Sequence, residues 1–180
     1  MIYVVLLRGI NVGGNNKVEM PRLKVTFECL GLKDVRTYIN SGNVIFKDSR
    51  TPATLVPQIE SAIENEFGFA IKVVLRDLAN ITRVAGTLPS TWVNDATMKC
   101  DVMFLWESYD SARVLDQLVV KPSIDDVKYV PGAILWRVDK SNVTRSGLMK
   151  IAGTDLYKHM TIRNCNTVRK LLGLMQDMER

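Results

Sequence analysis

Three polar clusters hold the residues of this chain best suited to chemistry. The first is Arg8-Gly9-Ile10-Asn11-Val12-Gly13-Gly14-Asn15-Asn16-Lys17. It joins an apolar run to a helical pattern, a junction at which backbone N–H groups commonly cradle phosphate. Gly13 and Gly14 supply positive φ, whereas Arg8, Asn11, Asn16 and Lys17 supply two cations and two amides that bind oxyanions. A turn that only reverses the chain needs the glycines alone, and that plainer reading stands beside the functional one. No Walker loop is present, because Asn15 and Asn16 stand where Lys and Ser or Thr would follow Gly14, and the dinucleotide pattern G-x-G-x-x-G is absent.

The second cluster, Asn40, Ser41 and Asn43 around Gly42, has the composition of a turn that bonds its own backbone. It is expected at the opposite end of its sheet from the first cluster, so that the two share no site. The third runs from Thr161 to Val168. Asn164, Asn166 or Thr167 suits the cap of a final helix, and Arg163 at its mouth suits an anion drawn to the free N–H groups. Arg163 would otherwise meet the positive end of the helix dipole unfavourably.

Other chemistries lack their residues. His159 is the only histidine, which rules out an imidazole metal cage, and no metal ligand set is nominated. Asp125 and Asp126 adjoin in an expected turn instead of facing each other across a site. Cys29, Cys100 and Cys165 are odd in number and far apart, with no C-x-x-C pair, so neither a disulfide framework nor a thiolate metal site is expected. Cys165, beside Asn164 and near Arg163, is a minor candidate for a lowered thiol pKa; a small buried hydrophobe is the plainer reading. The strand Asn43-Val44-Ile45-Phe46 lacks the aromatic platform of an RNA-recognition module, leaving only Tyr3, Tyr38 and Phe46 as aromatics that could be exposed.

Charge is unevenly placed. Of the net +5, residues 137–170 carry +6, from Arg137, Lys140, Arg145, Lys150, Lys158, Arg163, Arg169 and Lys170 against Asp139 and Asp155, while the remaining 16 basic and 17 acidic residues nearly cancel at −1. Such a segment attracts an anionic partner or simply keeps the protein soluble. No stretch approaches the roughly 20 apolar residues of a membrane span, and the start, Met1 to Arg8, lacks the basic region and cleavage site of a signal peptide. A cytoplasmic protein with no membrane partner is expected.

The elements that position these clusters follow from periodicity. Ile2 to Leu7 is apolar at every position, a strand covered on both faces. Met20, Leu23, Phe27 and Leu30 recur at helical spacing between Pro21 and Gly31. Strands follow at Val35 to Ile39 and Asn43 to Lys47, then a helix capped at Thr51-Pro52 and ending at Gly68, then a strand at Ile71 to Leu75. This βαββαβ order is that of the ferredoxin-like fold. Asp77 is expected to cap a short helix through Val84, with a linker at Gly86 to Asp95. The pattern then repeats: a strand at Asp101 to Trp106, a helix capped by Asp110, a hairpin of Val127 to Val130 with Ala133 to Val138, a helical stretch at Ser141 to Ile151, a strand at Met160 to Arg163 and a last helix at Thr167 to Met178. The expected fold class is α+β: two tandem ferredoxin-like subdomains, 1–76 and 99–180, joined by a helix and linker at 77–98, with an extra C-terminal helix. A second subdomain or subunit is expected over the open face of the first sheet.

The strings Leu6-Leu7-Arg8-Gly9-Ile10-Asn11-Val12-Gly13-Gly14 with Asn16-Lys17, Tyr38-Ile39-Asn40-Ser41-Gly42-Asn43-Val44-Ile45-Phe46, and Thr161-Ile162-Arg163-Asn164 with Asn166-Thr167-Val168 closely resemble the signature segments of the bacterial domain-of-unknown-function family 1697. The resemblance runs from one end of the chain to the other. It departs at Cys165, where many members look to have Trp, and through residues 77–130. It implies two ferredoxin-like subdomains and brings no reaction, substrate, cofactor or catalytic residue with it.

Three functions fit. The first is binding of a phosphate-bearing or other anionic small ligand through Arg8, Asn11, Gly13, Gly14, Asn16 and Lys17, with Arg163 and Asn166 joined to them by subdomain packing. The alternatives are nucleic-acid binding through the basic C-terminal segment and an enzyme with its site between the subdomains. The sequence names no cofactor and no oligomeric state.

Overall fold

The computed structural model describes residues 1–179. The chain is mixed α and β, with two four-stranded antiparallel sheets. It divides into two compact units, Met1–Leu78 together with Gly173–Arg180, and Ala79–Leu172. No helix among the described residues is long and apolar enough to cross a membrane.

In the first unit, β1 (Ile2–Leu7), α1 (Met20–Cys29), β2 (Lys33–Tyr38), β3 (Asn43–Lys47), α2 (Pro52–Phe67) and β4 (Val73–Asp77) give the strand order β2-β3-β1-β4. Alternation along β1 sends Tyr3, Val5 and Leu7 into one core, where Val44 and Phe46 of β3 meet Leu23 and Phe27 of α1 and Leu55, Ile59 and Ile63 of α2. Each such aliphatic side chain contributes about 1.5–3 kcal/mol of burial. Phe46 stacks at a tilt on Tyr3 and edge-on to Phe27, at 5.8 and 5.9 Å between ring centroids. On the opposite face of the sheet Val4, Leu6 and Ile45 are also fully buried, which is why β1 has no polar position.

Pro21 lies in the first turn of α1, and Gly31 follows it at φ 79°. Thr51 occupies the N-cap position of α2 but does not cap through its hydroxyl, which instead meets the Thr54 hydroxyl at 3.2 Å. Gly68 ends the helix in the left-handed region, where only glycine is unstrained. Tyr3 and Phe46, considered above as exposed aromatics, are buried.

The second unit holds α3 (Leu78–Thr87) from Ala79 on, β5 (Met98–Leu105), β6 (Asp125–Val130), β7 (Ala133–Asp139), β8 (Met160–Asn164) and α4 (Cys165–Gln176) as far as Leu172, and the strand order β6-β7-β5-β8 repeats the first. The expected helices after Asp110 and at Ser141 to Ile151 are instead short 3-10 segments, Ala112–Gln117, Lys140–Arg145, Gly147–Gly153 and Leu156–His159. Ser, Gly, Asn and Thr recur through this stretch and interrupt an α-helix. Side-chain caps replace the ladder: Ser111 and Ser146 accept from the backbone N–H groups of Arg113 and Leu148. Asp110 is not the N-cap; its carboxylate instead accepts from the Tyr129 hydroxyl and the Gly132 N–H, each at 2.8 Å.

Asp125 is not in a turn either. It opens β6 as a buried carboxylate and accepts from Ser146 Oγ, Gly147 N, Lys121 N and Trp136 Nε1. Burial pushes its pKa upward, yet these hydrogen bonds outweigh burial and hold it below the usual carboxylate value. At Gly147 a Cβ would collide with the Val119 carbonyl oxygen, so the chain can approach this carboxylate only through glycine.

Candidate functional site

β1 delivers the first cluster to one end of its sheet. Leu7 N donates to Gly42 O at 2.8 Å and Arg8 N to Lys72 O at 3.1 Å, fixing the last residues of β1 between β3 and the start of β4. The chain then forms a miniature hairpin. Asn11 N donates to Asn16 O and Asn15 N to Val12 O, both at 3.1 Å, with Gly13 at φ 60° and Gly14 at φ 79°. Positive φ at both central residues closed by that i to i+3 bond is a type I′ turn, in which paired glycines are favoured. The hairpin is exposed from Asn11 to Lys17, with Val12 at 68%.

The two amides of the cluster are engaged within the protein. Asn11 Nδ2 donates to Val18 O at 2.9 Å and to Asn40 O at 2.8 Å, while its Oδ1 accepts from Val18 N at 2.9 Å. Asn16 Nδ2 donates to Gly9 O at 3.1 Å. Asn11 and Asn16 adopt φ of 54° and 49°, a left-handed conformation that asparagine tolerates better than most residues. The N–H groups of Gly13 and Gly14 and the ammonium of Lys17 have no protein partner among the described residues.

The expectation that the second polar cluster lies at the far end of the sheet is overturned by the Asn11–Asn40 bond. β1 is antiparallel to β3, with Leu6 opposite Asn43. The loop leaving β1 and the turn entering β3 therefore emerge at the same end. Gly42 seals the contact: at φ 77° it lies so close that a Cβ would stand 2.7 Å from Ile10 Cδ1 and 2.8 Å from Leu7 Cβ. Asn43 is fully buried and donates to Tyr38 O and Ser41 Oγ at 2.9 and 3.0 Å, so the turn is shaped from inside. Ile39, exposed at φ 49°, is a β-branched residue in the left-handed region, a conformation that costs energy and that this turn imposes.

The remaining candidates belong to the second unit. Arg163 lies on β8 opposite Val102, buried, with Nη1 donating to Thr161 Oγ1 at 3.0 Å and Ile162 O at 2.8 Å. Burial lowers its pKa to about 10. Asn164 caps α4, accepting from Thr167 N at 2.8 Å. Asn166 turns aside to Asn94, donating to its carbonyl oxygen at 2.8 Å. Within the basic segment, Arg137 bridges Asp126 and Asp139, Lys158 pairs with Asp155, and Arg169 donates to Trp92 O and Pro89 O. Lys140, Arg145, Lys150 and Lys170 are exposed. His159 stacks on Tyr109 with ring centroids 4.0 Å apart.

One constellation escaped sequence reasoning. Cys100 and Cys165, 65 positions apart in sequence, are both buried, and each thiol shifts the pKa of the other. Their meeting follows only from strand register, which no local pattern in the sequence shows.

Comparison with known proteins concerns family and fold. A family described as "Protein of unknown function (DUF1697)" matches residues 1–136. The structure of the conserved bacterial protein SP0830 from Streptococcus pneumoniae is similar, at 32% identity and a TM-score of 0.82 over 97% of each chain. No curated protein matches the chain.

Proposed function

The chain belongs to the DUF1697 family of proteins of unknown function, and from that premise we propose that it binds a phosphate-bearing or other anionic small ligand at the hairpin end of its first sheet. In this reading both units are ferredoxin-like, with subdomains 1–76 and 99–180 and a helix and linker at 77–98, and the protein works in the cytoplasm. The repeated strand order supports the fold part of that reading.

The observation that carries the binding proposal is the double tether of Asn11. Its amide ties the β1–α1 hairpin both to its own exit at Val18 and to the β2–β3 turn at Asn40. An exposed loop ordinarily needs no such bracing. Bracing holds the exposed Gly13, Gly14 and Lys17 on one fixed hairpin, so an anion meets donors that require little reorganisation. The ligand surface is formed by Gly13, Gly14, Lys17 and Arg8; Asn11, Asn16, Asn40, Ser41 and Asn43 position it. Arg163 and Asn166 have partners in their own unit and are not required.

Titration of the 15N-labelled chain with inorganic phosphate at constant ionic strength tests the proposal. Saturable shifts are expected at the amides of Gly13, Gly14 and Lys17. Lys17→Ala should weaken binding about tenfold, the value of one charge-assisted hydrogen bond. Absence of saturable shifts in this hairpin, or indifference to Lys17→Ala, refutes it.

A further inference from the structure

β5 and β8 bring two thiols together at the point where β8 becomes α4. Asp101 pairs with Asn164 as the terminal rung of the antiparallel ladder, and Cys100 and Cys165 are the residues that directly flank that rung, one on β5 and one at the start of α4. Opposed residues in such a ladder lie about 4.5–5.5 Å apart between Cα atoms, inside the span of roughly 4.4–6.8 Å that a disulfide bridges. The two thiols interact strongly enough for each to shift the other's pKa, and the Cys165 thiol also lies 3.6 Å from Trp92 O and 3.5 Å from Asn166 Oδ1. The surroundings treat the sulfurs differently. Cys165 is the first residue of α4, with Arg169 Nη1 3.7 Å from its Sγ one turn further on. Cys100 lies on β5 beside the carboxylate of Asp101.

We propose that Cys100 and Cys165 form a peroxide-reactive dithiol, with Cys165 the attacking sulfur and Cys100 the resolving one. The Cys100 thiol, the Arg169 cation and the Asn166 N–H outweigh burial and lower the Cys165 pKa to about 7, so a large share is thiolate near neutrality. The interaction with Cys165 and burial push the Cys100 thiol upward and keep its proton.

The Cys165 thiolate attacks one oxygen of hydrogen peroxide. The S–O bond forms, the O–O bond breaks, and hydroxide leaves and is protonated to water, giving the sulfenic acid. The Cys100 sulfur then attacks Cys165 Sγ. The S–S bond forms, the S–O bond breaks, and the departing hydroxyl leaves with the Cys100 proton as a second water. Two thiols are oxidised by two electrons and one peroxide is reduced to two waters. Full burial of both sulfurs selects a small uncharged oxidant.

The test uses the full chain carrying Cys29→Ser, which removes the exposed third thiol. After hydrogen peroxide, alkylation in denaturant and peptide mapping should show loss of two free thiols and a Cys100–Cys165 cross-link that dithiothreitol reverses. In a chain that also carries Cys100→Ser, dimedone should label Cys165. The proposal falls if both cysteines remain alkylatable after a peroxide dose that oxidises the methionines, or if dimedone fails to label Cys165 in the Cys100→Ser chain. Should that variant not fold, the cross-link in the Cys100-containing chain alone decides.

Discussion

The two sheets have the same strand order but different covers. α1 and α2 lie over the first, presenting Leu23, Phe27, Leu55, Ile59 and Ile63. Over the second, Val114, Leu148, Ile151 and Leu156 come from successive 3-10 segments. The apolar supply is similar in kind; what differs is how the backbone is satisfied. An α-helix bonds its own N–H and C=O groups, whereas short 3-10 turns need outside partners. In the second unit Ser111 and Ser146 cap two of these turns, and one buried carboxylate, Asp125, takes the Gly147 and Lys121 N–H groups together with the Ser146 hydroxyl and the Trp136 indole. Strand order therefore does not dictate the form of the cover, provided that the displaced hydrogen bonds are collected elsewhere.

Removing that collector breaks the comparison most sharply. Asp125→Ala strands several buried donors and should cost about 4 kcal/mol or more in urea unfolding. Hydrogen exchange should show protection lost first over residues 140–159, with α1 and α2 retained. A cost below about 1.5 kcal/mol would mean that the 3-10 cover stands without its carboxylate.

The next effect lies in the first unit. Gly42→Ala combines left-handed strain with a collision against Ile10 and Leu7 and should cost about 3 kcal/mol. Gly13→Ala, at a similar φ but with open space around it, should cost about 1 kcal/mol. Equal losses at the two sites would show that the Gly42 contact is not what holds hairpin and turn together.

The smallest effect concerns acid. Arg50 donates through Nε and Nη2 to both oxygens of Asp48 and lowers its pKa to about 2 from the ordinary 3.8. A depressed carboxyl stabilises the fold fully above the ordinary value, and that contribution is lost as pH falls from about 4 towards 2. Arg50 is a third exposed, so the contribution is on the order of 1 kcal/mol after solvent screening. Asp48→Asn should flatten the unfolding midpoint against pH in that window by the same amount. An unchanged slope would assign the acid sensitivity to other carboxylates, Asp125 first among them.

The strands were legible because their signal is local: Ile2–Leu7 and Asn43–Lys47 match the sequence reading residue for residue. The helices of the first unit were legible from apolar spacing and from Pro21, Pro52 and Gly68. The cover of the second unit was not. Val114, Leu115 and Leu118 satisfy a helical period, but nothing local reveals that Ser111 will accept from Arg113 N and open a 3-10 turn there, or that Asp125 will gather donors around Ser146 and Gly147. The site was half legible. Its residue types and the positive φ of Gly13 and Gly14 were readable, whereas the meeting of Asn11 with Asn40 depends on strand direction. The pairing of Cys100 with Cys165 depends on register, to which cysteine count and spacing are blind.

The Asn11 amide also has a mechanical consequence. A single planar group grips two chain segments 29 residues apart, so neither can peel away without releasing the other. Opening there is one concerted event, and whatever settles on the glycine tip will quieten the distant turn through the same clasp.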